Sequence, residues 1–208
     1  MEKPFKKSTF RMSGFVLLLI PSFIAVSLLL LFYGKYYIKS LIPLITYEFE
    51  KIYPEGKITK IEFVKMRHRH QIHFTIRTHK NFTDERGISW PVSDLTVGIN
   101  TFALYIHPLL VLSLLAALPF LSKKEKLIVI SMSCPLIIVS VLTDIPFHLL
   151  YELKESYIAH APQVPMQISW SLSFWYHALN TGGRQFLSLI VIATTLLLFF
   201  FITSDKKL

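Results

Sequence analysis

Four long apolar runs constrain this chain more than any other feature of its sequence. They cover approximately residues 12–32, 100–121, 127–149 and 186–203. Because about 20 apolar residues of α-helix cross a hydrocarbon core of about 30 Å, each run is long enough to span a membrane. The composition agrees, since 52% of the 208 residues are hydrophobic and only 17% are charged. The sequence therefore predicts an all-α polytopic membrane protein with four transmembrane helices.

The first apolar run is predicted to be an uncleaved anchor. Lys3, Lys6, Lys7 and Arg11 precede it, as basic residues do in a secretory signal. Its apolar core is longer than that of a signal peptide, however, and no small-residue cleavage site follows it. We therefore expect residues 1–33 to form an N-terminal cytoplasmic tail and a membrane anchor.

Basic residues beside the other short loops predict the orientation of the chain. Lys123, Lys124 and Lys126 precede the third run, and Lys206 and Lys207 follow the fourth. Since lysine and arginine beside short loops favour the cytoplasmic side, these residues predict that both termini are cytoplasmic. The long segment after the anchor is also basic, but segments of more than about 60 residues cross the membrane largely regardless of charge.

Residues 34–98 are predicted to form a small extracytoplasmic α+β segment. Apolar residues recur every three or four positions from Ile38 to Ile52, which is typical of an amphipathic helix. Apolar residues then alternate in "KITKIEFVK" and "QIHFTIRTH", which predicts a β-hairpin, and "SDLTV" predicts a third strand. Because a segment of this size buries little core by itself, we expect it to lie against the membrane or a partner.

The hairpin carries a basic surface that is predicted to contact membrane lipids through their anionic headgroups. The alternation of these residues also fits a simply solvated hairpin face. The residues are Lys57, Lys60, Lys65, Arg67, Arg69, Arg77 and Lys80. His68 and His70 share a strand face, but no cysteine lies nearby, so we predict no metal site. We likewise predict no cofactor and no nucleic-acid partner.

Residues 99–208 are predicted to form a three-helix membrane bundle with an aromatic outer loop. Polar residues near the outer ends of these helices are expected to meet. At 1.5 Å per residue, Asp144 lies about 8 Å inward from the outer end of the third apolar run. An intramembrane charge usually faces a partner in the bundle, and Arg184 is the expected partner. Snorkelling of Arg184 to the headgroups is the alternative. The predicted polar joint consists of Asn100, His107, Asp144, His148, Asn180, Gly182, Gly183 and Arg184.

The sequence favours a protein that is not an enzyme. Cys134 lies in mid-span with no histidine or arginine at its depth, so no group is available to activate a thiolate. Asp144 and His148 lie four residues apart on one helix face. They would supply the acid and base of the alternative, a membrane-embedded enzyme. A transport or signalling subunit that uses the same polar residues is a further alternative.

One phrase carries a family resemblance. "ALNTGGRQFLSLI", which contains Asn180, Gly182, Gly183 and Arg184, opens the fourth apolar run. Together with the anchor, the extracytoplasmic segment and three further spans, it resembles the exosortase H-associated membrane proteins of Gram-negative bacteria. The resemblance implies a cell inner membrane location and an accessory role in exosortase-type protein sorting or surface display. It also implies a larger, exosortase-like integral membrane protein as the partner.

Overall fold

The computed structural model describes residues 12–66, 69–78, 82–83, 89–90, 94–160 and 167–205. Most of them are helical. The helices are α1 (Met12–Ile52), α2 (Thr101–Ala117), α3 (Lys123–His160), α4 (Trp170–Ala178) and α5 (Arg184–Asp205). The strands are β1 (Gly56–Met66), β2 (Arg69–Thr78), β3 (Phe82–Thr83), β4 (Ser89–Trp90) and β5 (Asp94–Asn100).

Three helical segments are long and apolar enough to cross a membrane. They are α1, α3, and the unit formed by α4 and α5. With 41 residues, α1 is about 60 Å long, twice the thickness of a hydrocarbon core of about 30 Å. The predicted span at residues 100–121 is a shorter apolar helix, because α2 ends at Ala117 after 17 residues, or about 26 Å. The long apolar helices are thus confirmed, whereas the count of four spans is not.

The predicted hairpin and third strand form one antiparallel sheet, in the order β1-β2-β5. Phe74 of β2 lies opposite Ile61 of β1 on one side and Val97 of β5 on the other. The apolar face of the sheet packs against the protein's own helices. Its fully buried partners include Ile45 and Phe49 of α1. Within this chain the sheet therefore lies on extensions of α1 and α3, which bury the face that we expected a membrane or partner to cover.

Helix α3 continues well past residue 149, where the sequence suggested that a loop begins. Glu152, Lys154 and Glu155 lower the hydropathy there, but the helical period persists. Leu153 and Tyr157 remain buried against the sheet side of the molecule. The apparent end of the span is therefore a change in the surroundings of one continuous helix. The aromatic segment that follows contains the short helix α4.

Two apolar cores occupy the helical bundle. The first joins α1, the sheet and the nearer half of α3, and includes Leu104 of α2. The second joins the far ends of α2, α3 and α5, and includes Val111 of α2. His107 lies between these two α2 residues and is fully buried. Polar side chains therefore meet at the level where the two cores adjoin.

Candidate functional site

An ion pair joins α3 to α5 inside the bundle. Arg184 Nε donates to Asp144 Oδ2 over 2.5 Å, and Arg184 Nη2 donates to Asp144 Oδ1 over 3.0 Å. Asp144 is fully buried and Arg184 is 8% exposed. The predicted partnership of these two residues is therefore present, and Arg184 does not point away to the headgroups. A paired geometry of this kind is the strongest that a guanidinium makes with a carboxylate.

Helix α2 joins the same cluster through His107. Its Nε2 lies 3.4 Å from Asp144 Oδ2, and its Nδ1 lies 3.1 Å from Ser188 Oγ on α5. The hydroxyl of Ser188 also donates to the Arg184 carbonyl over 2.8 Å. Three helices that are distant in sequence thus share one set of hydrogen bonds. We call His107, Asp144, His148, Asn180, Arg184 and Ser188 the buried polar network, although at its edge His148 is half-buried and Asn180 is exposed.

The remaining donors of Arg184 hold two further members of the buried polar network. Arg184 Nη1 donates to Asn180 Oδ1 over 2.7 Å, and Nη2 lies 3.1 Å from His148 Nδ1. Because a guanidinium nitrogen can only donate, His148 Nδ1 accepts, and the ring proton lies on Nε2. Four of the five N–H groups of Arg184 are then engaged. The buried charge is matched by both an opposite charge and neutral acceptors, as burial of an ion pair requires.

A second cluster connects the network to α4. His148 Nε2 lies 3.7 Å from Glu152 Oε1, and Tyr176 of α4 donates its hydroxyl to the same oxygen over 2.5 Å. The Tyr176 ring stacks on Tyr151 with centroids 3.8 Å apart. In addition, Trp175 Nε1 donates to the Thr143 carbonyl over 3.1 Å. These contacts hold α4 along α3 beside the buried ion pair.

The turn Leu179–Gly183 places Arg184 at the start of α5. Thr181 and Gly182 leave helical geometry there, and Gly182 has a φ of 125° that residues with a Cβ rarely adopt. A Cβ on Gly183 would lie 2.7 Å from the Ala178 carbonyl oxygen. Both glycines therefore have an explanation within the chain, namely the kink between α4 and α5. Neither requires a partner helix.

The predicted polar joint is largely brought together. His107, Asp144, His148, Asn180 and Arg184 are hydrogen-bonded neighbours, and the two glycines form the adjoining kink. Asn100 lies apart, because its Oδ1 caps α2 by accepting from the Phe102 N–H over 3.0 Å. Ser188 was not among the residues predicted from the sequence. Its position four residues after Arg184, on the same helix face, was the available signal.

The predicted basic surface is divided and partly neutralised. Lys60 pairs with Glu62 over 2.8 Å, and Arg77 forms two hydrogen bonds with Asp94. Hydrogen bonding from Arg77 lowers the pKa of Asp94. Lys57 lies opposite Arg77 on the exposed sheet face, whereas Lys65 alternates onto the other face. For Arg69 only the strand position is described, and Arg67 and Lys80 lie outside the described residues.

The sequence predicted neither a metal site nor an activated cysteine. Among the described residues, no group of three histidine, cysteine, aspartate or glutamate side chains could hold a metal ion, and His68 lies outside those residues. Cys134 is exposed, and its Sγ donates to the Ile130 carbonyl of its own helix over 3.4 Å. That contact is typical of a cysteine that completes a helix surface, since it supplies no base for a thiolate.

Comparison of the chain with protein-family models, with curated proteins and with solved structures found no match.

Proposed function

We propose that this chain is a multi-pass membrane protein in which α1, α2, α3 and α5 each cross the bilayer and both termini are cytoplasmic. The supporting observation is the placement of charge. Lys123, Lys124 and Lys126 begin α3 at the end of the bundle opposite the sheet. Lys126 Nζ donates to the Ala116 carbonyl, so α3 starts beside the end of α2. A basic short turn at that end favours a cytoplasmic location for it and an extracytoplasmic location for the sheet.

We propose further that the protein is a non-enzymatic accessory subunit. The observation that carries this proposal is the closure of the buried polar network upon itself. Both oxygens of Asp144 accept from Arg184, and one of them also faces His107. A general base must have a lone pair available for the proton of a substrate, and three of the roughly four lone-pair sites of the fully buried Asp144 carboxylate face Arg184 and His107. The buried polar network therefore fits a structural role, in which it holds α2, α3 and α5 in register.

The client system proposed for this subunit is an exosortase-type one, with a larger integral membrane protein as partner. The support comes from the sequence phrase that resembles the exosortase H-associated proteins. In the structure, that phrase forms the kink and the arginine of the ion pair. An accessory subunit needs a defined shape near the membrane surface. The kink and the ion pair would supply that shape by holding α4 along α3.

A capture experiment in the native membrane tests the accessory role. The tagged full-length chain is extracted in mild detergent, and the co-purified proteins are identified by mass spectrometry. We expect a larger multi-spanning protein in a fixed ratio to the chain. Disuccinimidyl cross-linking before extraction provides a second readout that does not depend on detergent. A chain that is recovered alone from both preparations would refute the accessory role.

A complementation experiment separates the accessory role from the enzymatic alternative. In a strain that lacks the chain, His148→Gln and Cys134→Ser should restore processing of exported proteins that carry a C-terminal sorting tail. An enzyme that uses the pair of Asp144 and His148 would lose its activity with His148→Gln at normal protein abundance. Each variant is compared with Ser140→Ala, a change on the same helix outside the buried polar network.

A further inference from the structure

A cavity of about 520 Å³ lies between α3, α4 and α5, beside the buried polar network. Thr143, Phe147, Leu150 and Lys154 line it along α3. Their spacing of four, three and four residues places them on one helix face, and eleven residues of helix extend about 16 Å. The cavity volume falls within the range of about 300–1,000 Å³ that is usual for ligand sites. The cavity is thus long enough for an extended chain.

The cavity is apolar along most of its length and polar at one end. Phe147, Leu150 and Leu172 make its length apolar, whereas Lys154, Ser169 and Ser171 lie at one end. No acidic side chain is among the residues that line the cavity. An amphiphile with an apolar tail and an anionic head matches this division.

Lys154 is only partly engaged. Among the described residues, its Nζ donates one hydrogen bond, to the Gln167 carbonyl over 3.1 Å. An ammonium group has three donors, so two remain for a ligand. Helix α4 also begins beside this end of the cavity, with Ser169 as its N-cap, and the positive end of its dipole favours an anion near Lys154. The positive charge at this end of the cavity therefore favours an amphiphile with an anionic head group.

Exposed aromatic residues indicate the level of the membrane surface at this end. Trp170 is 80% exposed, and its ring stacks on Phe174 with centroids 5.3 Å apart. Such rings prefer the headgroup boundary. Lys154 of α3 lies near the start of α4, at the level where the phosphate of a lipid would lie if the acyl chain entered the bundle.

We infer that this cavity binds one acyl chain of an anionic phospholipid, with the phosphate held by Lys154 and by one hydroxyl proton of the pair Ser169 and Ser171, whose oxygens lie 3.2 Å apart and share one hydrogen bond. The inference rests on the membrane location of the chain and is independent of its role with an exosortase. The lipid would pack beneath α4 and would support the helix that is joined to α3 by Trp175. Occupancy of the cavity would therefore stabilise the arrangement next to the ion pair.

Fluorescence quenching by brominated lipids tests this inference. Trp175 lines the cavity, and the changes Trp90→Phe and Trp170→Phe leave it as the sole tryptophan. The protein is reconstituted in phosphatidylcholine vesicles that contain rising fractions of brominated phosphatidylglycerol or brominated phosphatidylcholine. We expect half-maximal quenching at a mole fraction about fivefold lower for phosphatidylglycerol, as one lysine near a surface provides. Lys154→Gln should abolish this difference, and the matched change Lys124→Gln at the far end of α3 should preserve it.

The contrary outcomes are distinct. Equal quenching by both lipids, or a preference that survives Lys154→Gln, would mean that ordinary annular lipid fills the cavity and would overturn the inference. Loss of the preference when inorganic phosphate is added would instead indicate a site for a free anion. Absence of quenching by either lipid would indicate that protein covers the cavity. Ser171→Phe, which adds bulk at the exposed rim, should weaken quenching by phosphatidylglycerol while the unfolding temperature in lipid-free detergent is retained.

Discussion

Arg184 and Asp144 lie 40 residues apart in sequence and join α5 to α3 by two hydrogen bonds with full burial of the carboxylate. The sheet contains an exposed counterpart of this pair. Arg77 Nε and Nη2 donate to the two oxygens of Asp94 over 2.8 and 2.9 Å, with side chains 52% and 41% exposed. One chain thus offers the same geometry in two environments, and the difference between them can be measured.

Leucine at either end of the buried pair should destabilise the protein strongly. Arg184→Leu or Asp144→Leu leaves an uncompensated charge in the bundle, and we expect each change to lower the unfolding free energy by about 3–5 kcal/mol. The double variant should lose less than the sum of the two. Arg77→Leu and Asp94→Leu, as matched controls, should have small, salt-sensitive effects. Thermal and denaturant unfolding in one detergent provide the measurement, and strict additivity at the buried pair would contradict the coupling.

The partnership of Arg184 and Asp144 was predictable because an intramembrane charge has few acceptable surroundings. The position of Asn100 was not, since a residue at a strand–helix junction can either cap the helix or turn into the bundle. Asn100 caps α2. The end of α3 was also misplaced, because hydropathy shows where the apolar run ends, at residue 149, and not where the helix ends, at His160. Residues past 149 stay helical by packing on a sheet that is distant in sequence, and no local pattern contains that information.

Ser188 should contribute to stability through its contact with His107. Its hydroxyl bonds to the Arg184 carbonyl and faces His107 Nδ1, so Ser188→Ala leaves a buried ring nitrogen unpaired. We expect a loss of about 1–3 kcal/mol in unfolding free energy. Ser140→Ala is the matched control, because within the described part of the chain the Ser140 hydroxyl donates to one group alone, the Leu136 carbonyl of its own helix. Equal effects of the two changes in the same detergent would remove Ser188 from the buried polar network.

The kink before α5 should tolerate no Cβ at either glycine. Gly182→Ala forces a residue with a Cβ to a φ of 125°, which costs about 1–3 kcal/mol. Gly183→Ala meets the fixed Ala178 carbonyl oxygen at 2.7 Å, so the chain must shift and the position of Arg184 with it. At Gly14 a Cβ has open space, and Gly14→Ala should be neutral or stabilising by about 1 kcal/mol. Unfolding temperatures of the three variants give the comparison, and a destabilised Gly14→Ala with a neutral Gly182→Ala would refute the assignment.

Two buried tyrosines should respond oppositely to loss of the hydroxyl group. Tyr53 Oη is buried without a hydrogen-bond partner among the described residues, so Tyr53→Phe should raise the unfolding free energy by up to about 1 kcal/mol. The Tyr157 hydroxyl donates to Thr78 Oγ1 over 3.0 Å, and Tyr157→Phe should lower it by about 1–3 kcal/mol. Chemical denaturation at neutral pH distinguishes these signs.

Tyr53 also predicts a loss of folding stability at alkaline pH. Burial raises the pKa of Tyr53 to about 12 from its usual value of 10.0, so the folded state disfavours the phenolate. The stability that this group contributes is complete below about pH 10. It is lost as the pH rises towards the folded value of about 12. Tyr53→Phe should reduce that loss, and an unchanged alkaline profile would show that Tyr53 is not the group responsible.

The last prediction concerns whether α2 crosses the membrane. At 17 residues it is about 26 Å long, slightly less than a hydrocarbon core of about 30 Å. If it crosses, its two ends lie on opposite sides, and so do the sheet and the basic start of α3. Lys57→Cys and Lys124→Cys, both at exposed positions and each combined with Cys134→Ser, report these two sides. An impermeant thiol reagent should label intact cells at position 57 alone, and position 124 should react only after the membrane is permeabilised. Labelling at both positions would mean that both ends of α2 lie on the outer side and that α2 does not cross the membrane. Labelling at position 124 alone would place the sheet in the cytoplasm and reverse the proposed orientation.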